Sequence, residues 1–288
     1  MYGIINLKRW LRYAAAAALA AGMIGVLGTL LTVFAADSGV KLPVIMYHAV
    51  IDDGARLGKY VISPTELESD FRWLKSHGYT AVLSEDLIRY TEAGAPLPEK
   101  SILITFDDGY YNNYLYAFPA AKQYGMKFVL SPIGKCVDLY TETPDQSPYY
   151  AHATWEMLRE MQSSGLVEIG NHTYDLHKSD GTRLGTKRLS TESMDVYREM
   201  LCEDVLCFQE KAKANLGRAP VLFAYPFGAV SDGEPAIIEE LGFKVTLSCE
   251  ERTSTVTRDP KSLVYLGRYL RPSGVTSEAF FNRILGNS

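Results

Sequence analysis

Two carboxylates stand side by side in Thr105-Phe106-Asp107-Asp108-Gly109-Tyr110, where the apolar run Ser101–Phe106 ends. Successive side chains on an extended chain leave opposite faces, so one Asp can hold a cation while its neighbour faces a reacting group. Gly109 permits a tight turn or the close approach of a ligand. Alone, such a pair is more commonly a polar turn capping the next helix. A second stretch, Asn171-His172-Thr173-Tyr174-Asp175-Leu176-His177, holds two of the five histidines, five positions apart. That offset sets them about 140° apart on a helix and on opposite faces of a strand. Both reach one ion only if the backbone leaves regular structure after His172. Two neutral imidazoles and a carboxylate with open positions form the donor set of a catalytic zinc centre. Without an ion they are a surface loop with two unrelated histidines. A third stretch, Phe223-Ala224-Tyr225-Pro226-Phe227-Gly228, has the Pro and Gly of a fixed turn, which can aim a backbone N–H at a developing oxyanion. Tyr47-His48 ends one more apolar run.

These pieces act together only if the fold brings them to one rim. Strands are expected at Pro43–Tyr47, Thr80–Leu83, Ser101–Phe106, Lys127–Ser131, Leu166–Gly170, Val221–Tyr225, Phe243–Ser248 and Leu263–Leu270. Helices are expected between them. Ser63-Pro64-Thr65-Glu66 starts one with a capping box and a first-position Pro, and Gly78 ends it. Ser84 is read as the cap of a helix that stops at Gly94. Further helices are read at Asn113–Tyr124, Thr154–Ser164, Glu192–Leu216 and Pro235–Leu241. Strand and helix in alternation, without a composition break, imply one α/β domain on a parallel sheet. The number of strands suits a closed or nearly closed barrel, in which chemistry gathers at the strands' C-terminal ends.

Ahead of this domain Lys8, Arg9 and Arg12 precede an uncharged run, Tyr13–Ala36. As a helix it measures about 36 Å, enough for a hydrocarbon core of roughly 30 Å. Residues 1–36 are therefore read as a signal peptide or a transmembrane anchor, with the basic flank in the cytoplasm and the rest outside. Asp37–Leu42 is read as a linker and 43–288 as the domain. Lys and Arg number 29 against 34 Asp and Glu, a net charge of −5, which argues against a nucleic-acid partner. Hydrophobic residues at 47% and charged ones at 22% are ordinary for a globular chain. Cys136, Cys202, Cys207 and Cys249 lack a Cys-x-x-Cys spacing, which argues against a thiolate zinc site. Outside the cytoplasm they can pair as disulfides or stay as buried thiols.

TFDDGY, NHTYDLH and FAYPFG, in that order, resemble the polysaccharide deacetylases of carbohydrate esterase family 4, the NodB-homology domain, over about Pro43 to Leu270. The resemblance implies a distorted (β/α) barrel, a divalent metal that is usually zinc, and removal of acetyl groups from N-acetylglucosamine or other sugars of a polysaccharide. Carried over by position, Asp107 resembles the general base, Asp108, His172 and His177 the metal ligands, and the backbone N–H near Phe227 the oxyanion donor. In the commonest pattern the two histidines are four apart. The five here, and the MYH segment, are similar to the branch acting on poly-β-1,6-N-acetylglucosamine.

Two departures follow. Ala224 stands where the family often has an Arg that orients the base, and Arg268 is the expected substitute. No histidine follows His177 to serve as general acid, which leaves His48, His152 or a water, with His48 preferred because it ends a strand. These departures also motivate a different reading, a carbohydrate-binding module with weak or no catalysis. An O-acetyl xylan-type esterase is the other alternative. Tyr110, Tyr111, Tyr114 and Tyr116 can stack on sugar rings or pack their own helix, and packing is expected for at least two.

Overall fold

The computed structural model describes residues 39–286 apart from 180 and 182. Seven strands run parallel in a ring: β1 (Val44–Tyr47), β2 (Ser101–Asp108), β3 (Phe128–Pro132), β4 (Val167–Ile169), β5 (Leu222–Ala224), β6 (Val245–Leu247) and β7 (Tyr269–Leu270). Continuous pairing runs β7-β1-β2-β3-β4, and β5 pairs with β6. Thin bridges close the gaps, Asn171 with Phe223 and Leu247 with Leu266. Helices α1 (Pro64–Ser76), α2 (Ser84–Ala93), α3 (Phe118–Tyr124), α4 (Gly134–Glu142), α5 (Trp155–Ser163), α6 (Met194–Leu216), α7 (Glu234–Glu240) and α8 (Ser277–Leu285) complete the α/β unit.

Alternation along the strands separates two apolar layers. Val44, Leu103, Val129, Leu222, Ala224, Val245 and Leu247 pack with one another inside the ring. Ile45, Tyr47, Ile104, Phe106, Leu130 and Ile169 pack outward against helix residues such as Leu67, Phe71, Leu158 and Phe208. Period-two parity therefore assigns Thr105 and Asp107 to the inner face, and likewise His48 beyond β1 and His172 beyond β4.

Several boundaries differ from the sequence reading, each for a physical reason. Val40–Leu42, read as linker, pairs antiparallel with Ser254–Val256, so the folded unit starts at Gly39. Ser84 is the first residue of α2 rather than its cap. Its hydroxyl donates to the Glu168 carboxylate, and Asp86 accepts from Leu83 N instead. Leu263–Leu270 is not one strand: Pro260–Leu263 is a 3-10 turn, Leu266 makes an isolated bridge, and Tyr269–Leu270 is the strand that joins the ring. Asn113–Ala117 is a π turn that runs into α3. The four cysteines are free, so no disulfide joins them. The expected segment 1–36 lies outside the described residues; among those described, no helix is long and apolar enough to cross a membrane.

The α1 start is as its residues dictate. Ser63 Oγ accepts from Glu66 N at 3.1 Å, and Glu66 Oε2 accepts from Ser63 N at 2.9 Å. A buried ion pair then ties α1 to the ring. Arg271 donates to Asp70 from Nε at 2.8 Å and Nη2 at 3.0 Å, Tyr47 OH adds a third bond at 2.9 Å, and the guanidinium lies over Phe280 of α8. Removing one partner of such a pair strands the other charge. Asp70→Ala should lower the unfolding free energy by about 3–5 kcal/mol. A denaturant midpoint within error of wild type would show that Arg271 does not depend on it.

Candidate metal centre and base

The chemistry-bearing residues meet where β1, β2 and β4 end. β2 runs two residues further than the apolar run suggests, and Asp107 and Asp108 register with Ser131 and Pro132 of β3. Parity alone would send Asp108 outward, away from Asp107. Instead Asp108 has φ 69° and Gly109 φ 75°, which turns the chain so that the Asp108 carboxylate reaches the cavity. A Cβ on Gly109 would lie 2.3 Å from Pro132 Cβ, so only glycine fits the turn.

The histidine segment leaves regular structure as the five-residue offset demands. Thr173 takes φ 72° directly after His172. Asn171 Oδ1 accepts from Thr173 N at 2.7 Å, and both oxygens of Asp204 accept from the amides of Tyr174 and Asp175 at 2.8 Å. His177 thereby folds back. Nitrogens of His172 and His177 and an oxygen of Asp108 all lie within 4.8 Å of one another. Asp108 Oδ1 is 3.6 Å from His172 Nε2 and 3.4 Å from His177 Nε2.

These donors fit a cation. Asp108 Oδ1 is buried and has no hydrogen-bond partner. Ala224 O lies 2.7 Å from His172 Nδ1, which fixes that nitrogen as the N–H and leaves the Nε2 lone pair facing Asp108. Burial pushes His172 down to about 3, so the imidazole is neutral. Burial pushes Asp108 up to about 6 against the pull of His48, with the Asp107 charge adding to the rise.

Asp107 has a different partner. Arg268, fully buried, donates from Nη1 to Asp107 Oδ1 at 2.8 Å, while its Nε donates to Ser248 O at 2.7 Å. Burial alone would raise Asp107. The Arg268 charge and its hydrogen bond outweigh it and hold the carboxyl well below the usual range.

A cavity of about 610 Å³ opens over this group, lined among others by His48, Tyr60, Asp108, Tyr110, His177 and Phe227. His48 Nδ1 is buried without a partner, and burial lowers its pKa. His152 does not line the cavity. It lies 3.0 Å from Asp108 O and packs between Tyr110 and Tyr140, and burial pushes it down to about 4. Phe227 has φ 59° and ψ 5° in a turn closed by Gly228 N donating to Tyr225 O at 3.0 Å. Those angles fit the third position of a type II turn, where a non-glycine is strained. Its ring lies 4.4 Å from that of His177. Of the tyrosines after the first motif, Tyr110 lines the cavity, Tyr111 is buried, Tyr114 bonds Glu160, and Tyr116 packs on the core.

The polysaccharide deacetylase family profile matches residues 94–246, more than half the chain and all three motifs. The chain belongs to the polysaccharide deacetylase family. The poly-β-1,6-N-acetyl-D-glucosamine N-deacetylase of Escherichia coli K12 is 27% identical over 226 residues, which are 72% of this chain and 33% of that one. The chain thus spans about a third of the length of that relative. Two solved structures share the fold: a de-N-acetylase from Aggregatibacter actinomycetemcomitans (TM-score 0.71, 27% identity, 84% of this chain and 99% of that one) and IcaB from Ammonifex degensii (TM-score 0.67, 27% identity, 82% and 94%).

Sequence reasoning missed two residues of this deacetylase-family site. Asp204 clamps the histidine loop. Asn113, through Nδ2 donating to His48 O at 2.7 Å, ties the His48 backbone to the segment after β2. Asp204 carries a local signal, an acidic residue beside Leu201, Val205 and Phe208 on the apolar side of α6. Asn113 carries none. The Asp107–Arg268 pair yields a test. Arg268→Met should destabilise the fold by about 3–5 kcal/mol by stranding the buried carboxylate. Adding Asp107→Asn should restore at least about 1 kcal/mol. A double variant no more stable than Arg268→Met alone would mean that the two charges are not coupled.

Proposed function

We propose that the chain is a metal-dependent hydrolase removing N-acetyl groups from N-acetylglucosamine units of an extracytoplasmic polysaccharide, of the poly-β-1,6-linked kind named for its relatives. The observation that carries this reading is the buried, unpartnered Asp108 oxygen facing two imidazoles, with an ionised Asp107 beside it. Asp108, His172 and His177 would hold the cation, and nitrogen-rich donors of this kind suit Zn²⁺. When bound, the ion supplies Lewis acidity toward the acetyl carbonyl and an attacking water.

The chain's own residues supply the rest. Asp107, held ionised by Arg268, takes the proton from the water. The Phe227 N–H, presented by its strained turn, donates to the oxyanion as the carbonyl becomes tetrahedral. His48 delivers a proton to the departing sugar nitrogen. Burial lowers the His48 pKa, so the proton it delivers is the one Asp107 took from the water, passed to His48 before the C–N bond breaks. The Lys8–Arg12 flank and the Tyr13–Ala36 run support export or anchoring, in keeping with a polymer substrate outside the cytoplasm.

Acetate release from N-acetylglucosamine oligomers tests the reading. A chelator should abolish release and Zn²⁺ should restore it. Asp108→Ala should lose bound metal. Asp107→Asn should keep the metal and lose about 10²–10⁴-fold in kcat. Full activity in Asp107→Asn would remove Asp107 as base, and metal binding with no acetate release by wild type would favour a carbohydrate-binding role.

A further inference from the structure

One wall of the cavity takes no part in binding the cation or in proton transfer. Lys59, Tyr60 and Val61 form it, on the segment between β1 and α1. Tyr60 is 49% exposed, and its ring stands edge-on to the His48 ring with centroids 4.9 Å apart. Anything stacked on Tyr60 is therefore one side chain away from the reacting groups. The segment is held in place. Ala49 N donates to Tyr60 O at 3.1 Å, Gly58 N to Val61 O at 2.9 Å, and Ser273 N to Gly58 O at 3.0 Å, while Val61–Ile62 pairs with Ala49–Val50. A ring fixed this way loses little freedom on binding.

A second aromatic ring packs against the same segment, outside the cavity lining. The Arg56 guanidinium lies 4.4 Å over the ring of Tyr149, which is 44% exposed. The buried Asn112 locks the two segments together: its Oδ1 accepts from Val50 N at 3.0 Å, and its Nδ2 donates to Pro148 O at 2.9 Å. We infer that Tyr60 and the Arg56–Tyr149 pair form a subsite for the sugar units adjoining the one that is deacetylated. This inference rests on the deacetylase reading.

The chemistry of the wall selects the ligand. A pyranose offers an apolar C–H face to a flat ring, and its hydroxyl and acetamide oxygens accept from guanidinium and phenol donors. Asp53 pairs with Arg56 at 3.4 Å, and the Lys59 ammonium lies 5.1 Å over the Tyr60 ring, so the wall presents cationic donors beside its rings. Those donors meet the hydroxyl and acetamide oxygens of a sugar stacked on the rings. The wall also explains why aromatic rings stand exposed beside the cavity, where burial elsewhere in the fold would stabilise them.

The experiment compares β-1,6-linked N-acetylglucosamine dimer and pentamer on the full chain with Zn²⁺, reading kcat/KM from acetate release. The pentamer-to-dimer ratio should fall about 3- to 10-fold in Tyr60→Ala and in Tyr149→Ala, chiefly through KM for the pentamer. Tyr60→Phe, which keeps the ring, should hold the wild-type ratio. Unfolding midpoints establish that each variant is folded, and Tyr149→Ala lies outside the apolar core. A wild-type ratio in both alanine variants overturns the subsite. A wild-type chain that releases no acetate from either oligomer overturns the deacetylase reading, and the subsite falls with it.

Discussion

Two adjacent carboxylates are buried at the end of one strand, and each requires a positive charge. An isolated carboxylate cannot be held ionised in a dry interior. Asp107 is compensated by Arg268, itself fully buried and braced on Ser248 O. Asp108 faces two imidazoles and no cation, and burial keeps both imidazoles low in pKa. They are acceptors, not counter-ions. The same strand end thus carries one satisfied carboxylate and one whose oxygen lacks any partner. This asymmetry separates the two roles. The paired group stays ionised and free to take a proton, and the unpaired one is completed by a cation.

Bringing that arrangement together costs backbone strain, and the strain is concentrated. Among the described residues the non-glycine positions with positive φ are Asp108, Thr173, Phe227 and Tyr265. The first three fall in the three motif segments. Each costs about 1–3 kcal/mol unless its surroundings hold it. Here they do so through Gly109 N donating to Asp107 O, Thr173 N to Asn171 Oδ1, and Gly228 N to Tyr225 O. Each kink reverses what regular geometry would do. Asp108 is brought to the side of Asp107, and His177 is folded back on His172. The turn at Phe227 packs its ring against His177.

The ring strands were readable because a strand buried on both faces needs an unbroken apolar run, as Ser101–Phe106 has. The α1 start was readable because its cap is local. The segments that hold the site were less so. The α4 helix has no side-chain cap to announce it. Its start is fixed by distant contacts, Gly134 N donating to Thr173 O and Lys135 N to Tyr174 O. Asn113 acts on His48 across 65 positions, a separation at which composition and period carry no signal. Ser84 shows the opposite failure, a good local cap signal overridden by the buried Glu168 carboxylate.

Ala224 shows why the requirement is one of charge and not of sequence position. A family pattern that expects Arg at that point would read this site as broken. Yet a guanidinium reaches Asp107 from the segment leading into β7, two strands along the ring from β2. With no long side chain at 224, the inner face of β5 keeps a small apolar residue. The carbonyl of the same residue accepts from His172 Nδ1 and sets that ligand's tautomer. Position 224 thus serves through its backbone, while the ion pair on Asp107 comes from Arg268. What this rim presents is one guanidinium on the first carboxylate and an uncompensated second one. Any sequence that places those two charges there satisfies the constraint, whichever strand supplies the arginine.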